Sequence, residues 1–197
     1  AATSKSNAWT YETPAEVTDV EPSSGQHGTA VVISGSGLLG GGSNIVSVTL
    51  GDVEVDAIVS EGDDTVAVVA PHADAAEAVD IVLTADSGAV VTASGVWEFL
   101  ERGTIDNVSP TEGQSGTVVV LTGSTMIGDG TDLLSVTLAG EAADVDASNA
   151  SEITVVAAAG SAGAGDVVVT SVSGAVITKS NAFTYLEAGA VSLVSPS

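Results

Sequence analysis

Three short aromatic segments, set at a near-constant interval, constrain this chain more than any other feature. SNAWTY at 6–11 is followed by Pro22, SGVWEF at 94–99 by Pro110, and SNAFTY at 180–185 by Pro196. Trp9 and Trp97 are 88 residues apart, as are Pro22 and Pro110, and Phe183 and Pro196 follow after 86 more. A period of that length is a whole small domain, not one turn of a solenoid. The 197 residues therefore divide into two complete units and two fragments. Residues 1–13 read as the last strand of a preceding unit, 14–102 as the first full unit, 103–188 as the second, and 189–197 as the first strand of a following one.

Each unit reads as strands. Thr29, Val31 and Ile33 alternate with Ala30, Val32 and Ser34, and Thr117, Val119 and Leu121 repeat the pattern. SVTL at 47–50 returns unchanged at 135–138. Period-two alternation there predicts that Val46, Val48 and Leu50 face inward, with Leu134, Val136 and Leu138 their counterparts. Further strands are expected at Thr65–Val69 and Ile153–Val156, then at Val79–Thr84 and Val167–Thr170. Ser-Gly-Ala-Val turns at 87–90 and 173–176 lead into the aromatic strand. Its two rings are two residues apart, so both face one side and are expected to plug an end of the core. About seven short strands per unit, punctuated by glycine, predict an all-β fold of tandem immunoglobulin-like β-sandwiches.

The order Pro-x-x-Gly-x-x-Gly-Thr, a β-branched run ending in Gly, a Val-x-Leu strand and a closing aromatic-x-aromatic resembles the IPT/TIG family of immunoglobulin-like domains. Pro22, Gly25, Gly28, Thr29, Gly35, Val48, Leu50, Trp97 and Phe99 carry it in the first unit. Pro110, Gly113, Gly116, Thr117, Gly123, Val136, Leu138, Phe183 and Tyr185 carry it in the second. The chain departs where the family often has Gly-Gly, with Gly51-Asp52 in one unit and Ala139-Gly140 in the other. The resemblance implies a setting in surface receptors, transcription factors, surface proteins or accessory domains of polysaccharide enzymes.

Charge narrows these settings. Twenty-six acidic residues against Lys5, Arg102 and Lys179 give a net charge of −23. Nucleic acid binding needs clustered Lys and Arg to replace counterions, so it is not expected, and the DNA-binding branch is set aside. Apolar runs are too short for direct membrane insertion. Without cysteine, each core must hold by packing alone.

Sites of chemistry are sparse. His27 and His72 do not recur between units and read as exposed loop residues, with no metal or catalytic role and no cofactor. Weak calcium candidates are Asp63 and Asp64, beside Glu61, and Asp129 and Asp132. Their oxygens sit in loops, but without EF-hand spacing and at non-equivalent positions. Two glycosylation sequons occur, at Asn107 and Asn149; Pro110 disfavours the first. The reading that results is a non-enzymatic structural segment of an extracellular or cell-surface protein, a stiff acidic rod in a filament such as a flagellar hair or pilus-like fibre. Its partners would be neighbouring repeats or other filament subunits. The alternatives are an adhesin or ligand-binding module, using the glycine-rich stretches 35–44 and 123–132 for glycan or calcium, and an accessory domain of a polysaccharide-active enzyme.

Overall fold

The computed structural model describes residues 13–128 and 130–190. Trp9, Tyr11 and the strand expected near the C-terminus lie outside these residues. Every regular element described is a strand. The described residues form two compact units, one built from those up to Ser24 with Ala30–Pro71 and Ala76–Glu98, the other from Gly25–Thr29, His72–Ala75 and those from Phe99 onward.

The first repeat contains β1 (Glu16–Glu21), β2 (Ser24–Gly25), β3 (Ala30–Ser36), β4 (Ile45–Leu50), β5 (Val53–Glu54), β6 (Ala57–Ser60), β7 (Thr65–Val69), β8 (Ala76–Ala85) and β9 (Val90–Phe99). They form a sheet ordered β1-β3-β7-β6 and another ordered β2-β9-β8-β4-β5. The second repeat contains β10 (Thr104–Ser109), β11 (Glu112–Gly113), β12 (Val118–Ser124), β13 (Leu133–Leu138), β14 (Glu141–Ser148), β15 (Glu152–Val156), β16 (Gly163–Ser171) and β17 (Val176–Tyr185). Here β14 pairs with β13 through Glu141–Ala143 and with β15 through Asp144–Ser148, so one strand serves both sheets. In the first repeat the same path breaks into β5 and β6, and Val55 between them turns into the core at 8% exposure. Sequence alternation predicts no strand in either stretch, since Glu141–Ser148 is mostly exposed and lacks a clean apolar alternation.

The inward faces are those the alternation predicts, with one correction. Val31, Ile33, Val48 and Leu50 are buried, as are Val119, Leu121, Val136 and Leu138. Val46 and Leu134, expected inside, are 59% and 69% exposed. A bulge shifts the register between Ile45 and Ser47 and again between Leu133 and Ser135. An extra residue in one strand reverses the faces on either side of it, so Ile45 enters the core in place of Val46. The departure from Gly-Gly leaves the hairpin unchanged. Gly51 and Asp52 have φ of 57° and 66°, Ala139 and Gly140 of 47° and 88°. Both are two-residue turns with two left-handed residues, the arrangement that matches strand twist.

Both aromatic pairs close their cores: Trp97 and Phe99 are 1% and 4% exposed, Phe183 and Tyr185 0% and 2%. Phe183 and Tyr185 meet edge to face, with ring centroids 5.2 Å apart. The Tyr185 hydroxyl is buried with no hydrogen-bond partner among the described residues. Burial first, and then the Glu141 charge, raise its phenol above the ordinary value. A raised acid pKa adds stability below the unfolded value that is lost as pH climbs through the folded one. Tyr185→Phe, which restores what Phe99 already is in the first repeat, is therefore expected to stabilise the second sandwich by up to about 1 kcal/mol. It should also remove part of its alkaline loss of stability, as urea midpoints at neutral and alkaline pH will read.

The segment before each aromatic pair has a structural explanation. Gly95 and Asn181 occupy one position and both are left-handed, φ 64° and 50°. A carboxylate one strand away accepts from each: Gly95 N donates to Asp80 Oδ1 at 2.9 Å, Asn181 N to Asp166 Oδ1 at 2.8 Å. Glycine and asparagine are the residues that adopt this conformation at least cost.

Candidate functional site

The most fully constructed feature outside the cores is the chain leaving the first aromatic strand. Glu98 N donates to Ser23 O at 3.0 Å and Leu100 N to Gly25 O at 2.9 Å. The Gln26 side chain continues the series, its Nε2 donating to Glu101 O at 2.7 Å and its Oε1 accepting from Gly103 N at 3.0 Å. Arg102, between them, donates to His72 Nε2 and to Asp74 at 3.3 Å. The second repeat builds part of the same exit, with an exposed glutamine in place of a buried one. Thr184 N donates to Thr111 O at 2.9 Å and Leu186 N to Gly113 O at 2.8 Å, and Gln114 Nε2 donates to Glu187 O.

His27 and His72 are not independent loop residues. His72 is exposed and His27 partly buried, and their rings meet edge-on with centroids 5.4 Å apart. Through Arg102 they belong to the same exit segment. The Arg102–Asp74 ion pair is open to water, with side chains 43% and 96% exposed, so it contributes little by itself. Ser115 and Ala188 stand at the corresponding positions of the second repeat, where this polar cluster is absent.

The acidic loop residues hold backbone. Asp63 Oδ1 accepts from Leu39 N at 3.3 Å and Glu61 from Ile45 N at 2.6 Å. Asp86 accepts from Ser43 N and from the Asn44 side chain, and those donors, Ser43 foremost, hold its carboxyl below the usual range. Asp64 contributes its carbonyl to Gly35 N. Asp132 caps Leu133 N at 2.8 Å, and Asp129 lies outside the described residues. Among the described residues, no three His, Asp or Glu side chains converge as a metal ion would need. The two glycine-rich stretches are each anchored by a fully buried side chain, Leu38 in one and Met126 in the other. The backbone bonds there also match: Leu38 N to Asp63 O and Met126 N to Ala150 O, both 2.9 Å.

The sequons differ in setting. Asn107 lies within β10, where its register partner is Thr122. Asn149 is exposed at the turn between β14 and β15. Its Oδ1 accepts from Ser151 N, Ser151 Oγ and Glu152 N at 2.8–2.9 Å.

The glutamines of the exits are the residues that sequence reading passed over. The available signal was the dipeptide Gly-Gln, repeated at 25–26 and 113–114. The family pattern counts only its glycine, and a polar residue in a turn reads as solvated.

No helix among the described residues is long and apolar enough to cross a membrane. No curated protein matches the chain. Among solved structures, the plexin A4 full extracellular region aligns over 93% of this chain and 16% of its own, at 18% identity and a TM-score of 0.52. SGBP-B from a complex xyloglucan utilization locus in Bacteroides uniformis aligns over 87% of this chain and 50% of its own, at 19% identity and a TM-score of 0.37. Surface glycan-binding protein PbSGBP-B from Prevotella bryantii aligns over 89% and 43%, at 14% identity and 0.36. This chain thus spans no more than half the length of each, and likeness at such identity concerns fold. The model of the IPT/TIG domain matches residues 15–96 and again 104–185. With the two sandwiches and their repeated turns, these matches over most of its length place the chain in the IPT/TIG family.

Proposed function

We propose that this chain is a non-catalytic structural segment of an extracellular or cell-surface protein, a stiff acidic rod of stacked sandwiches within a filament or appendage such as a flagellar hair or pilus-like fibre. The supporting observation is the series of four hydrogen bonds that ties Glu98, Leu100, Glu101 and Gly103 to Ser23, Gly25 and Gln26. A linker held at four of its six residues has fewer free torsions to swivel about. The net charge of −23 serves solubility and separation of neighbouring rods, within a screening length of about 8 Å at physiological ionic strength.

The reading is tested on this chain by 15N relaxation with small-angle scattering. The expected result is one shared tumbling time for both sandwiches. Separate, shorter times for the two would overturn the rod.

In such a surface protein Asn149 is the position proposed to carry N-linked glycan. Its Oδ1 is the atom that caps the turn, and glycan attaches at Nδ2, so modification leaves the cap in place. Secretion from a eukaryotic host should give a mass shift removed by Asn149→Gln and unaffected by Asn107→Gln. The reverse pattern, or no shift, would exclude it.

A further inference from the structure

Gln26 is 4% exposed, and a buried primary amide is costly unless its donor and acceptor are engaged. Both are, by one short stretch of chain: Nε2 donates to Glu101 O and Oε1 accepts from Gly103 N. The side chain thereby acts as a strand would, presenting donor and acceptor to residues two apart. The turn behind it is fixed. Thr29 Oγ1 accepts from Gln26 N at 3.0 Å and Thr29 N donates to Gln26 O at 3.1 Å. Thr117 makes the same two bonds to Gln114, both 3.0 Å. Gly103 admits no side chain, since a Cβ there would lie 2.6 Å from Thr125 O and closer still to Ile177. The clasped segment also recurs, Glu101-Arg102-Gly103 as Glu187-Ala188-Gly189.

We infer that Gln26 is a positioning residue whose buried amide clasps the Glu101–Gly103 segment following the first aromatic strand, and that the exposed Gln114 makes half of the same clasp through Glu187 O. The inference deepens the rod reading and rests on it for its purpose, though not for its geometry. Glutamine fits both halves of the task. Glutamate has the same length but sets a carboxylate against the Glu101 carbonyl, and alanine removes both bonds.

The test is amide exchange and 15N relaxation on this two-sandwich chain, comparing wild type with Gln26→Glu, Gln26→Ala and Gln114→Ala. Gly103 exchange is expected to rise about tenfold in both Gln26 variants, with falling order across 101–103, while Leu100 and the Val31 and Val48 core amides stay protected. Gln114→Ala should leave Gly103 unchanged and loosen the chain at Glu187. Unchanged Gly103 exchange in a folded Gln26→Glu or Gln26→Ala protein would overturn the clasp, as would equal loosening of the whole first sandwich by both variants. Independent tumbling of the wild-type sandwiches with Gly103 still protected in a Gln26-dependent way would leave the clasp standing and remove the rod.

Discussion

Trp97→Ala should cost the first sandwich about 3–5 kcal/mol, the largest single effect expected in this protein. Trp97 is 1% exposed and is the largest side chain buried in either core. The side chains buried in the same repeat are mostly valine, leucine, isoleucine and alanine, with Phe99, and aromatics make up only 3% of the chain. A cavity of this size cannot be refilled by relaxation. Set against a typical domain stability of about 5–15 kcal/mol, the loss brings the fold close to its threshold. Denaturant unfolding followed by circular dichroism will show it as a low midpoint for the first sandwich. Trp97→Phe, which copies the second repeat, should lose less than half as much. Equal losses for the two variants would mean that the ring's volume is not what holds this end of the core.

Gly123→Ala is the second. A Cβ on Gly123 would lie 2.8 Å from the Thr104 carbonyl carbon, 3.1 Å from Ile105 Cα and closer still to the Thr104 oxygen. All three are backbone, so a rotamer change cannot relieve the crowding. The strand β10 would have to move away from β12 at the bulge that separates Ile105 from Asn107. Lys179 currently donates at that bulge to the carbonyls of Ile105 and Asp106, at 2.9 and 3.0 Å. An overpacking cost of about 1–3 kcal/mol follows, and Gly35→Ala, where Glu16 O is the obstacle, should match it in the first repeat. The same substitution at Gly62 meets nothing nearer than Thr65 O at 3.4 Å. There, less freedom in the unfolded chain should make alanine neutral or stabilising by up to about 1 kcal/mol. Measuring all three by urea denaturation separates close backbone approach from the general effect of removing glycine. Similar changes at the three sites would refute the steric account.

These two effects differ in how far sequence reading could see them. The inward placement of Trp97 and Phe99 followed from spacing, because residues two apart on a strand share a face. Gly35 and Gly123 were visible as a repeated pair at the end of a β-branched run, but the obstacle to a side chain comes from a strand 19 residues earlier in each repeat. No local pattern names it. Val46 and Leu134 mark the limit in the other direction: they satisfy the alternation and yet are exposed, since a bulge is a matter of pairing with β8 and β16. The exits show the same division. Their shortness was legible between Leu100 and Thr104, whereas the bonds that hold them come from Gln26 and Gln114, more than 70 residues away in chain order.

The repeat, the all-β sandwich, the core strands and the family are legible along the chain, because period-two burial and turn chemistry are local and the chain states them twice. The destinations of the polar groups are set by folding. Asp80 and Asp166 stabilise a left-handed residue on the neighbouring strand, Glu61, Asp63 and Asp86 hold loop backbone, and the two glutamines clasp the exits. Each of these needs a donor and an acceptor brought within about 3 Å by folding, and residue type alone cannot say which distant backbone group that will be.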